Sequence, residues 1–435
     1  MEKLFKLQEH KTTVRTEVLA GLTTFLTMAY ILAVNPDMLG SIPGMSPGAV
    51  FTATAIASAI ATLCMAFMAN LPVALAPGMG LNAFFTYTVV FGMGYSWQLA
   101  LTAVFLEGIL FIILSVFNIR EAIINAIPAN LKKAVAVGIG LFIALIGFAN
   151  AGIVVNDAGT IIGLGNISQG SALLALIGMI IIIVLYTLKI PGAILIGILA
   201  TTLIGIPMGL TDVSRAWPLV SLPAAPLLFK FEFSQILTFK FFTVFFTFLF
   251  VDIFDTVGTL LGVCTQGGLM TSKGEVPKVK QALLSDAIGT VVGASVGTST
   301  ITSYIESSAG VAAGGRTGLS SLVTGLLFGL ALLFSPLFLL IPGAATAPAL
   351  IFVGFLMLKP VTEIDFSDPT EGIPAFLTIA IMPFAYSIAE GIVYGVISYV
   401  LLKAVTRKFN EIPVVTWVVC AIFILKLATE NIFLR

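Results

Sequence analysis

The stretch Leu71-Pro-Val-Ala-Leu-Ala-Pro-Gly-Met-Gly-Leu-Asn-Ala-Phe-Phe85 begins with residues that form helices poorly and then turns into a helical pattern. A second stretch, Gly297-Thr-Ser-Thr-Ile-Thr-Ser-Tyr-Ile-Glu-Ser-Ser-Ala-Gly310, does the same with Ser, Thr and Gly. Each is too short and too interrupted for a full membrane span. Extended backbone at membrane depth is tolerated only where it is buried in protein or lines a cavity. The two stretches therefore predict a pair of broken segments inside a membrane protein.

The composition of the chain around these stretches supports a membrane location. Of its 435 residues, 58% are hydrophobic and only 10% are charged, and the mean hydropathy is +1.11. A soluble domain would carry about 25% charged residues. Long apolar runs from Thr16 onward predict an all-α polytopic membrane protein without a separate soluble domain. The charged segment Met1–Arg15 does not have the pattern of a secretory signal.

The scarcity of histidine and cysteine limits the chemistry that the chain can perform. The single histidine, His10, precedes the first span, and Cys64, Cys264 and Cys420 are too scattered for a metal-ligand spacing. We therefore expect no metal, no cofactor and no catalytic site. The net charge of zero carries no information about partners, and we expect no nucleic acid among them.

Fourteen apolar segments are predicted, and the seven of the first half are each near the ~20 residues that span a bilayer. Seven lie at 18–40, 49–69, 73–92, 97–119, 128–150, 171–188 and 191–210, and seven more at 241–263, 280–297, 300–314, 318–340, 344–359, 373–388 and 389–405. The apolar stretch Pro413–Thr429 is either a further span or a helix lying on the membrane. We therefore divide the chain into an N-terminal segment (1–15), a first repeat (16–210), an extracellular connecting loop (211–237), a second repeat (238–408) and a tail (409–435).

The positions of lysine and arginine orient these segments, because cytoplasmic loops are enriched in both. With the N-terminus in the cytoplasm, sixteen of the nineteen cations before the tail lie inside, and only Arg215, Lys230 and Lys240 lie outside. Since seven is odd, the second set of seven starts from the opposite side, which predicts two inverted repeats. The halves also echo each other after Ile127-Pro128 and Ile341-Pro342. Broken segments at corresponding places in inverted repeats are typical of secondary transporters.

Six carboxyl groups fall within the predicted spans or near their ends: Glu107, Asp252, Asp255, Asp286, Glu306 and Glu390. Asp252 and Asp255 stand three apart in an apolar run, so a helix places them on one face. Ionisable groups in a membrane usually face a partner, a polar cavity or a proton path. Because burial disfavours the charged form of a carboxyl, such an acid can couple proton movement to transport. Asp286 is either a proton relay or a structural tie, and Asn82 adds an amide that donates and accepts.

Four long runs occur in order along the chain. They are Gly21-Leu-Thr-Thr-Phe-Leu-Thr-Met-Ala-Tyr-Ile-Leu-Ala-Val-Asn-Pro36, Ala76-Pro-Gly-Met-Gly-Leu-Asn-Ala-Phe-Phe85, Asp252-Ile-Phe-Asp-Thr-Val-Gly-Thr-Leu260 and Tyr304-Ile-Glu-Ser-Ser-Ala-Gly-Val-Ala-Ala-Gly-Gly-Arg-Thr-Gly-Leu319. In these runs the chain resembles the AzgA-like branch of the nucleobase-cation symporter-2 superfamily, the purine nucleobase permeases.

The resemblance implies a fold of about fourteen transmembrane helices in a 7+7 inverted repeat, with segments 3 and 10 broken, core and gate domains, and a homodimer. It implies proton-coupled import of adenine, guanine or hypoxanthine across the cytoplasmic membrane. The substrate-binding positions that it implies are Asn82, Asp252, Asp255 and Glu306, to which we add the adjacent Ser307. The proton-coupling position that it implies is Asp286.

Two other functions stay open at this point. The first is a carrier of another solute on the same architecture, such as uracil, xanthine or an inorganic anion. An anion carrier would place a cation or bare helix N-termini at its site instead of acidic groups. The second is a membrane enzyme of the prenyl-diphosphate type, which would need basic residues near its aspartates. The predicted spans carry none there, so we expect a transporter and not an enzyme.

Overall fold

The computed structural model describes residues 2–116, 128–157, 159–216, 218–271 and 275–433 of the chain. This part is mostly helical. Its first half contains α1 (Glu2–Phe5), α2 (Val14–Met28), α3 (Ile31–Leu39), α4 (Pro47–Cys64), β1 (Leu75–Pro77), α5 (Met79–Ala83), α6 (Trp97–Val116), α7 (Ala129–Asn150), β2 (Val154–Asp157), β3 (Ile161–Leu164), α8 (Gly170–Thr187) and α9 (Ala193–Gly205). π-helical turns extend α4 over Met65–Ala69 and α5 over Phe84–Gly92.

The second half of the described chain begins with the longest helix. Its elements are α10 (Phe239–Gln266), α11 (Val279–Val296), β4 (Ile301–Ser303), α12 (Ser307–Ala312), α13 (Gly318–Ala331), α14 (Ser335–Leu339), α15 (Gly343–Leu356), α16 (Pro369–Phe384), α17 (Ile388–Val405) and α18 (Val414–Phe433). Short 3₁₀ turns lie at Val213–Ala216, Leu332–Phe334, Lys359–Glu363 and Phe409–Glu411.

Polar residues fix where several of these helices begin. Thr13, Ser46, Thr238, Asp368 and Ser387 precede α2, α4, α10, α16 and α17, and each side chain accepts a backbone N–H of the first helical turn. Such caps satisfy donors that a helix cannot pair internally. The apolar runs that follow supply the buried and lipid-facing surfaces.

The predicted apolar segments correspond to the observed helices. Within the described residues, nine helical stretches are long and apolar enough to cross a membrane. Segments 3 and 10 are broken as predicted, since β1 precedes α5 and β4 precedes α12. The stretch after Pro413 forms α18, and whether α18 crosses the membrane stays open. A helical membrane protein is confirmed, and the arrangement of fourteen spans stays a prediction. Arg120 and Lys273, two of the sixteen cations predicted to lie inside, are outside the described residues.

The helices pack into two groups that interleave along the chain. The first helix group contains α2–α6 and α10–α14, in which α11 packs on α4 and α6, and α13 packs on α2 and α4. The second helix group contains α7–α9 and α15–α17, in which α7 packs on α15 and α16. Each group takes corresponding segments from both halves of the chain, as two repeats of one design would.

The echo between the halves corresponds to a close helix pair in the second group. α7 follows Pro128 and α15 follows Pro342. Gly140 and Gly354 face each other, and a Cβ atom on Gly354 would lie 2.4 Å from the Gly140 carbonyl oxygen. Small residues at such positions let two membrane helices approach closely.

Glu17 is a further buried carboxyl, in addition to the six predicted from the sequence. Its side chain is fully buried and accepts hydrogen bonds at the start of α13, from the Arg316 N–H at 2.9 Å and the Ser320 hydroxyl at 2.6 Å. A carboxylate at a helix N-terminus is stabilised by the free N–H groups there. Glu17 therefore ties α2 to the end of the broken segment 10.

Candidate functional site

The two broken segments meet in the interior of the first helix group. β1 pairs with β4 in antiparallel register, with Leu75 opposite Ser303, Ala76 opposite Thr302 and Pro77 opposite Ile301. All residues of both strands are buried. The helices that follow, α5 and α12, therefore start from one two-stranded element.

Two threonines pair the backbone groups of these strands that face away from the ladder. The Thr62 hydroxyl in α4 donates to the Leu75 carbonyl at 3.1 Å and accepts the Leu75 N–H at 3.0 Å. The Thr290 hydroxyl in α11 makes the same two bonds to Ile301, both at 3.1 Å. Extended backbone can lie at this depth because the protein pairs its polar groups. The repetition shows one local design used in both halves.

Asn82 projects from the first turn after β1. Its Nδ2 donates to the Pro77 carbonyl at 3.3 Å, and the same carbonyl accepts the Tyr304 hydroxyl at 2.6 Å. Asn82 is fully buried, and its Oδ1 has no hydrogen-bond partner among the described residues. Gly78 permits this arrangement, because a Cβ there would lie 2.8 Å from the Thr302 hydroxyl oxygen.

Asp255 and Glu306 form an acidic pair beside β4. The Asp255 side chain is hydrogen-bonded to the Thr302 hydroxyl and lies near enough to Glu306 for the two carboxyl groups to repel each other. Both residues are half-buried. The Tyr30 hydroxyl, between α2 and α3, donates to Glu306 Oε1 at 2.6 Å. Both residues of the pair therefore keep part of their surface accessible.

Asp252 and Asp286 are grouped at a deeper level. Both are fully buried, as is Thr256 between them. The Thr256 hydroxyl lies 2.8 Å from Asp286 Oδ1 and 3.4 Å from Asp252 Oδ1. Asp252 and Asp255 are three apart on α10, but their surroundings differ. Asp252 and Asp286 share the Thr256 hydroxyl, whereas Asp255 faces Glu306.

Of the remaining sequence-derived candidates, two are fully buried and one is half-buried. Ser307 is fully buried, and its hydroxyl accepts the Ala74 N–H at 3.0 Å, which ties α12 to the start of β1. Glu107 is fully buried in α6. Glu390 lies in the first turn of α17, where its N–H binds the capping hydroxyl of Ser387.

Comparison with known proteins identifies the family of the chain. The sequence model named Xan_ur_permease, described as a permease family, matches residues 15–394. The chain belongs to this permease family. It is 44% identical over 430 residues to the adenine permease AdeP of Escherichia coli (strain K12), covering 98% of this chain and 96% of AdeP. It is 45% identical over 433 residues to the guanine/hypoxanthine permease PbuO of Bacillus subtilis (strain 168), covering 98% and 99%.

A solved structure supports the fold of the permease. The transmembrane domain of a cyanobacterium bicarbonate transporter, BicA, superposes with a TM-score of 0.63 at 15% identity, covering 89% of this chain and 96% of that chain. At this identity the likeness concerns the fold alone. The permease thus shares its fold with the transmembrane domain of BicA.

Two polar residues of the candidate site, Tyr30 and Thr256, were not predicted from the sequence. Tyr30 lies in the first of the four runs that resemble the family. A tyrosine hydroxyl inside an apolar span could have indicated a site residue. Thr256 follows Asp255 directly, but threonines are common in these helices and mostly bind their own backbone, as Thr247 does. The contacts that single out Tyr30 and Thr256 join residues far apart in the chain, so local pattern could not find them.

Proposed function

We propose that the permease imports purine nucleobases by proton symport across the cytoplasmic membrane. Its relatives AdeP and PbuO carry the names of adenine and guanine/hypoxanthine permeases, and both match almost its whole length. We further propose fourteen spans in two inverted repeats of seven, with the first helix group as a core domain and the second as a gate domain. The interleaving of the two groups supports this arrangement.

The observation that carries the proposal is the acidic pair Asp255 and Glu306 at the β1–β4 element. A purine is flat and neutral, and it has N–H groups and acceptors on its edges. Carboxylates accept from N–H groups, so a base between Asp255 and Glu306 would bind to both and reduce their repulsion. Tyr30 fixes one oxygen of Glu306 and leaves the other to the substrate.

Asn82 is proposed to bind another edge of the base. Its Oδ1 is buried without a partner among the described residues, and leaving such a group unmatched is unfavourable. A substrate N–H that reaches this oxygen would remove the penalty. A site that matches buried polar groups can strongly reject ligands that lack the complementary groups. Asp252 and Ser307 complete the proposed binding set, although both make contacts within the protein.

Asp286 is proposed to carry the coupled proton. It lies one hydroxyl away from Asp252, in the same first helix group as the acidic pair. A carboxyl at this depth alternates between a neutral buried form and a charged form that reaches water. Loss of its proton on the cytoplasmic side would complete an import cycle.

Other solutes fit the site less well. An inorganic anion would meet the carboxyl groups of Asp255 and Glu306 and be repelled by them. A diphosphate substrate of a membrane enzyme would meet the same repulsion. A pyrimidine or xanthine offers similar edge chemistry to the preferred purines, so competition between bases decides among them.

The assembly and topology belong to the same proposal. We propose a homodimer with a cytoplasmic N-terminal segment at 1–15 and an extracellular loop at 211–237 that connects the repeats 16–210 and 238–408. Support for the loop comes from its packing on the end of α11, where the N–H groups of Leu227 and Phe229 bind the carbonyls of Val296 and Ser295.

Competition binding on the purified permease tests the function. Labelled adenine should be displaced by purines at lower concentrations than by uracil or bicarbonate. Glu306→Gln replaces an acceptor by a group that also donates, and should weaken purine binding by about 1–3 kcal/mol. Glu363→Gln is the control, because Glu363 makes an exposed ion pair with Lys133. Displacement by uracil or bicarbonate alone, or unchanged affinity in Glu306→Gln, would contradict the proposed purine site.

A further inference from the structure

The hydroxyl of Thr256 occupies an unusual position between three groups of the core. It lies 2.8 Å from Asp286 Oδ1 on α11 and 3.4 Å from Asp252 Oδ1 on its own helix. It also accepts the Ser303 N–H of β4 at 3.4 Å. Thr256 thus contacts both buried carboxyls and the strand that leads to Glu306.

A hydroxyl in this position has one hydrogen to give. It can donate to one carboxylate at a time, while its lone pairs accept from an N–H. A hydrogen bond to a charged carboxylate is stronger than one to a neutral acid. The charge on either carboxyl therefore determines the direction in which the Thr256 hydroxyl points.

We propose that Thr256 is the positioning residue of proton coupling. Its hydroxyl binds whichever of Asp286 and Asp252 is charged, and its contact with the Ser303 N–H connects the direction of the hydroxyl to β4. The inference rests on the proposed proton symport and deepens it. In the structure the hydroxyl points to Asp286, as the shorter distance indicates. When Asp286 takes up a proton, the hydroxyl is released to turn toward Asp252. No covalent bond to Thr256 changes in this step.

The link to the substrate site follows from the strand pairing. Ser303 is the last residue of β4 and lies opposite Leu75 of β1. Thr302, one residue earlier, binds Asp255, and Glu306 follows three residues later. A change in the Thr256–Ser303 contact therefore reaches both carboxyls that face the proposed purine.

Other titratable groups surround the pair and also respond to pH. Asp255 lies on α10, Tyr304 and Glu306 lie between β4 and α12, and Glu107 lies on α6, which packs against α10 and α11. The decisive pH measurement therefore compares the wild type, Thr256→Ser and Thr256→Val, which differ at position 256 alone. Any response from the surrounding groups is then common to all of them.

Transport by the full chain in proteoliposomes tests the proposal. Thr256→Val keeps the shape and removes the hydroxyl, and Thr256→Ser keeps the hydroxyl. Thr247→Val is the matched control, because Thr247 is a buried threonine of α10 whose hydroxyl donates to the Thr243 carbonyl of the same helix. Purine accumulation under an acid-outside gradient and purine exchange without a gradient are measured for each.

Thr256→Val should lower accumulation roughly tenfold relative to exchange, the size of one lost hydrogen bond to a charged group. It should also shift the pH profile of purine binding, whereas Thr256→Ser and Thr247→Val should behave as the wild type. A Thr256→Val protein with wild-type accumulation and pH profile would overturn the proposal, and so would an equal loss of accumulation and exchange. If Thr256→Val does not fold, Thr256→Ala against Thr256→Ser gives the same comparison.

Accumulation by the wild type distinguishes a failure of the proposed role of Thr256 from a failure of proton symport. Wild-type accumulation that ignores an imposed pH gradient would overturn proton symport itself. Wild-type accumulation that follows the pH gradient, together with unaltered Thr256→Val, would overturn only the role of Thr256. In the double variant Thr256→Val with Asp286→Asn, coupling should fall no further than in Asp286→Asn alone, because the two residues act through one contact.

Discussion

Glu306 is held on one side before any substrate binds. The Tyr30 hydroxyl donates to Glu306 Oε1 at 2.6 Å, and the Thr27 hydroxyl lies 3.3 Å from the Glu306 carbonyl oxygen. Hydrogen bonds to an ionised carboxylate are short and strong. The orientation of Glu306 is therefore set by the junction between α2 and α3, which belongs to the other half of the chain.

Tyr30→Phe tests the orientation of Glu306 by removing only the Tyr30 hydroxyl. Loss of the donor leaves Glu306 free to turn, so purine affinity should fall by about 1 kcal/mol, or roughly fivefold. Calorimetry or scintillation binding on the purified protein measures the change. Tyr399→Phe is the control, since Tyr399 lies in the second helix group and its hydroxyl binds the backbone carbonyl of Glu411. Equal affinities in Tyr30→Phe and Tyr399→Phe would show that Tyr30 does not position Glu306.

At the scale of elements, the broken segments depend on hydroxyl groups outside the strands. Thr62 serves both polar groups of Leu75, and Thr290 serves both polar groups of Ile301. A buried N–H or C=O left without a partner destabilises the fold by about 1–3 kcal/mol. The strands therefore need these two helices as much as they need each other.

Thr62→Val and Thr290→Val should each lower the melting temperature of the purified protein, and by similar amounts, because each removes an equivalent pair of bonds. The control is Thr52→Val, in the same helix as Thr62, since the Thr52 hydroxyl binds the Gly48 carbonyl of its own helix. The expected loss is about 2 kcal/mol or more for the strand-binding threonines. A loss no larger than that of Thr52→Val would refute the role of the hydroxyls.

The helices and broken segments could be predicted from the sequence, whereas the contacts between them could not. Apolar runs predict the helices because burial and lipid contact act on composition alone, and Pro, Gly, Ser and Thr mark the broken segments. The pairing of Leu75 with Ser303 could not be predicted, because it depends on contacts between the halves. Local spacing likewise put Asp252 and Asp255 on one face, whereas contacts with Thr256 of the same helix, which in turn binds Asp286 of α11, give Asp252 a different environment.

At the scale of the molecule, an ionic cluster joins several elements at one end of the second helix group. Lys403, almost fully buried, contacts Glu371 at 2.7 Å and Glu411 at 2.6 Å. Asn130 of α7 donates to the second oxygen of Glu371 at 3.0 Å. The cluster therefore connects α7, α16, α17 and the turn before α18 into one body.

Lys403→Met should destabilise this body strongly, because it leaves Glu371 largely buried without its cation. Removal of one partner from a buried ion pair costs about 3 kcal/mol or more, whereas Lys133→Met breaks an exposed pair with Glu363 worth at most ~1 kcal/mol. Thermal unfolding in detergent compares the two variants. Similar melting temperatures would contradict a tie through Lys403.

The melting-temperature difference between the wild type and Lys403→Met should depend on pH, with a sign that follows from the pKa of Glu411. The hydrogen bond from Lys403 lowers the pKa of the Glu411 carboxyl below its ordinary value of 4.5. Stabilisation from a lowered carboxyl pKa is complete above the ordinary value and is lost as the pH falls through the folded-state value. The difference in melting temperature between wild type and Lys403→Met should therefore shrink in acid.

The pairing of β1 with β4 also has a consequence for biosynthesis. At typical rates of synthesis, Ser303 emerges roughly 10–45 s after Leu75, so the first half of the chain waits in the membrane without its partner strand. During that time Thr62, which is already present in α4, can pair both polar groups of Leu75. The nascent half then exposes only the edge of β1 that β4 later covers, and this edge must be sheltered from lipid until translation has delivered the second half.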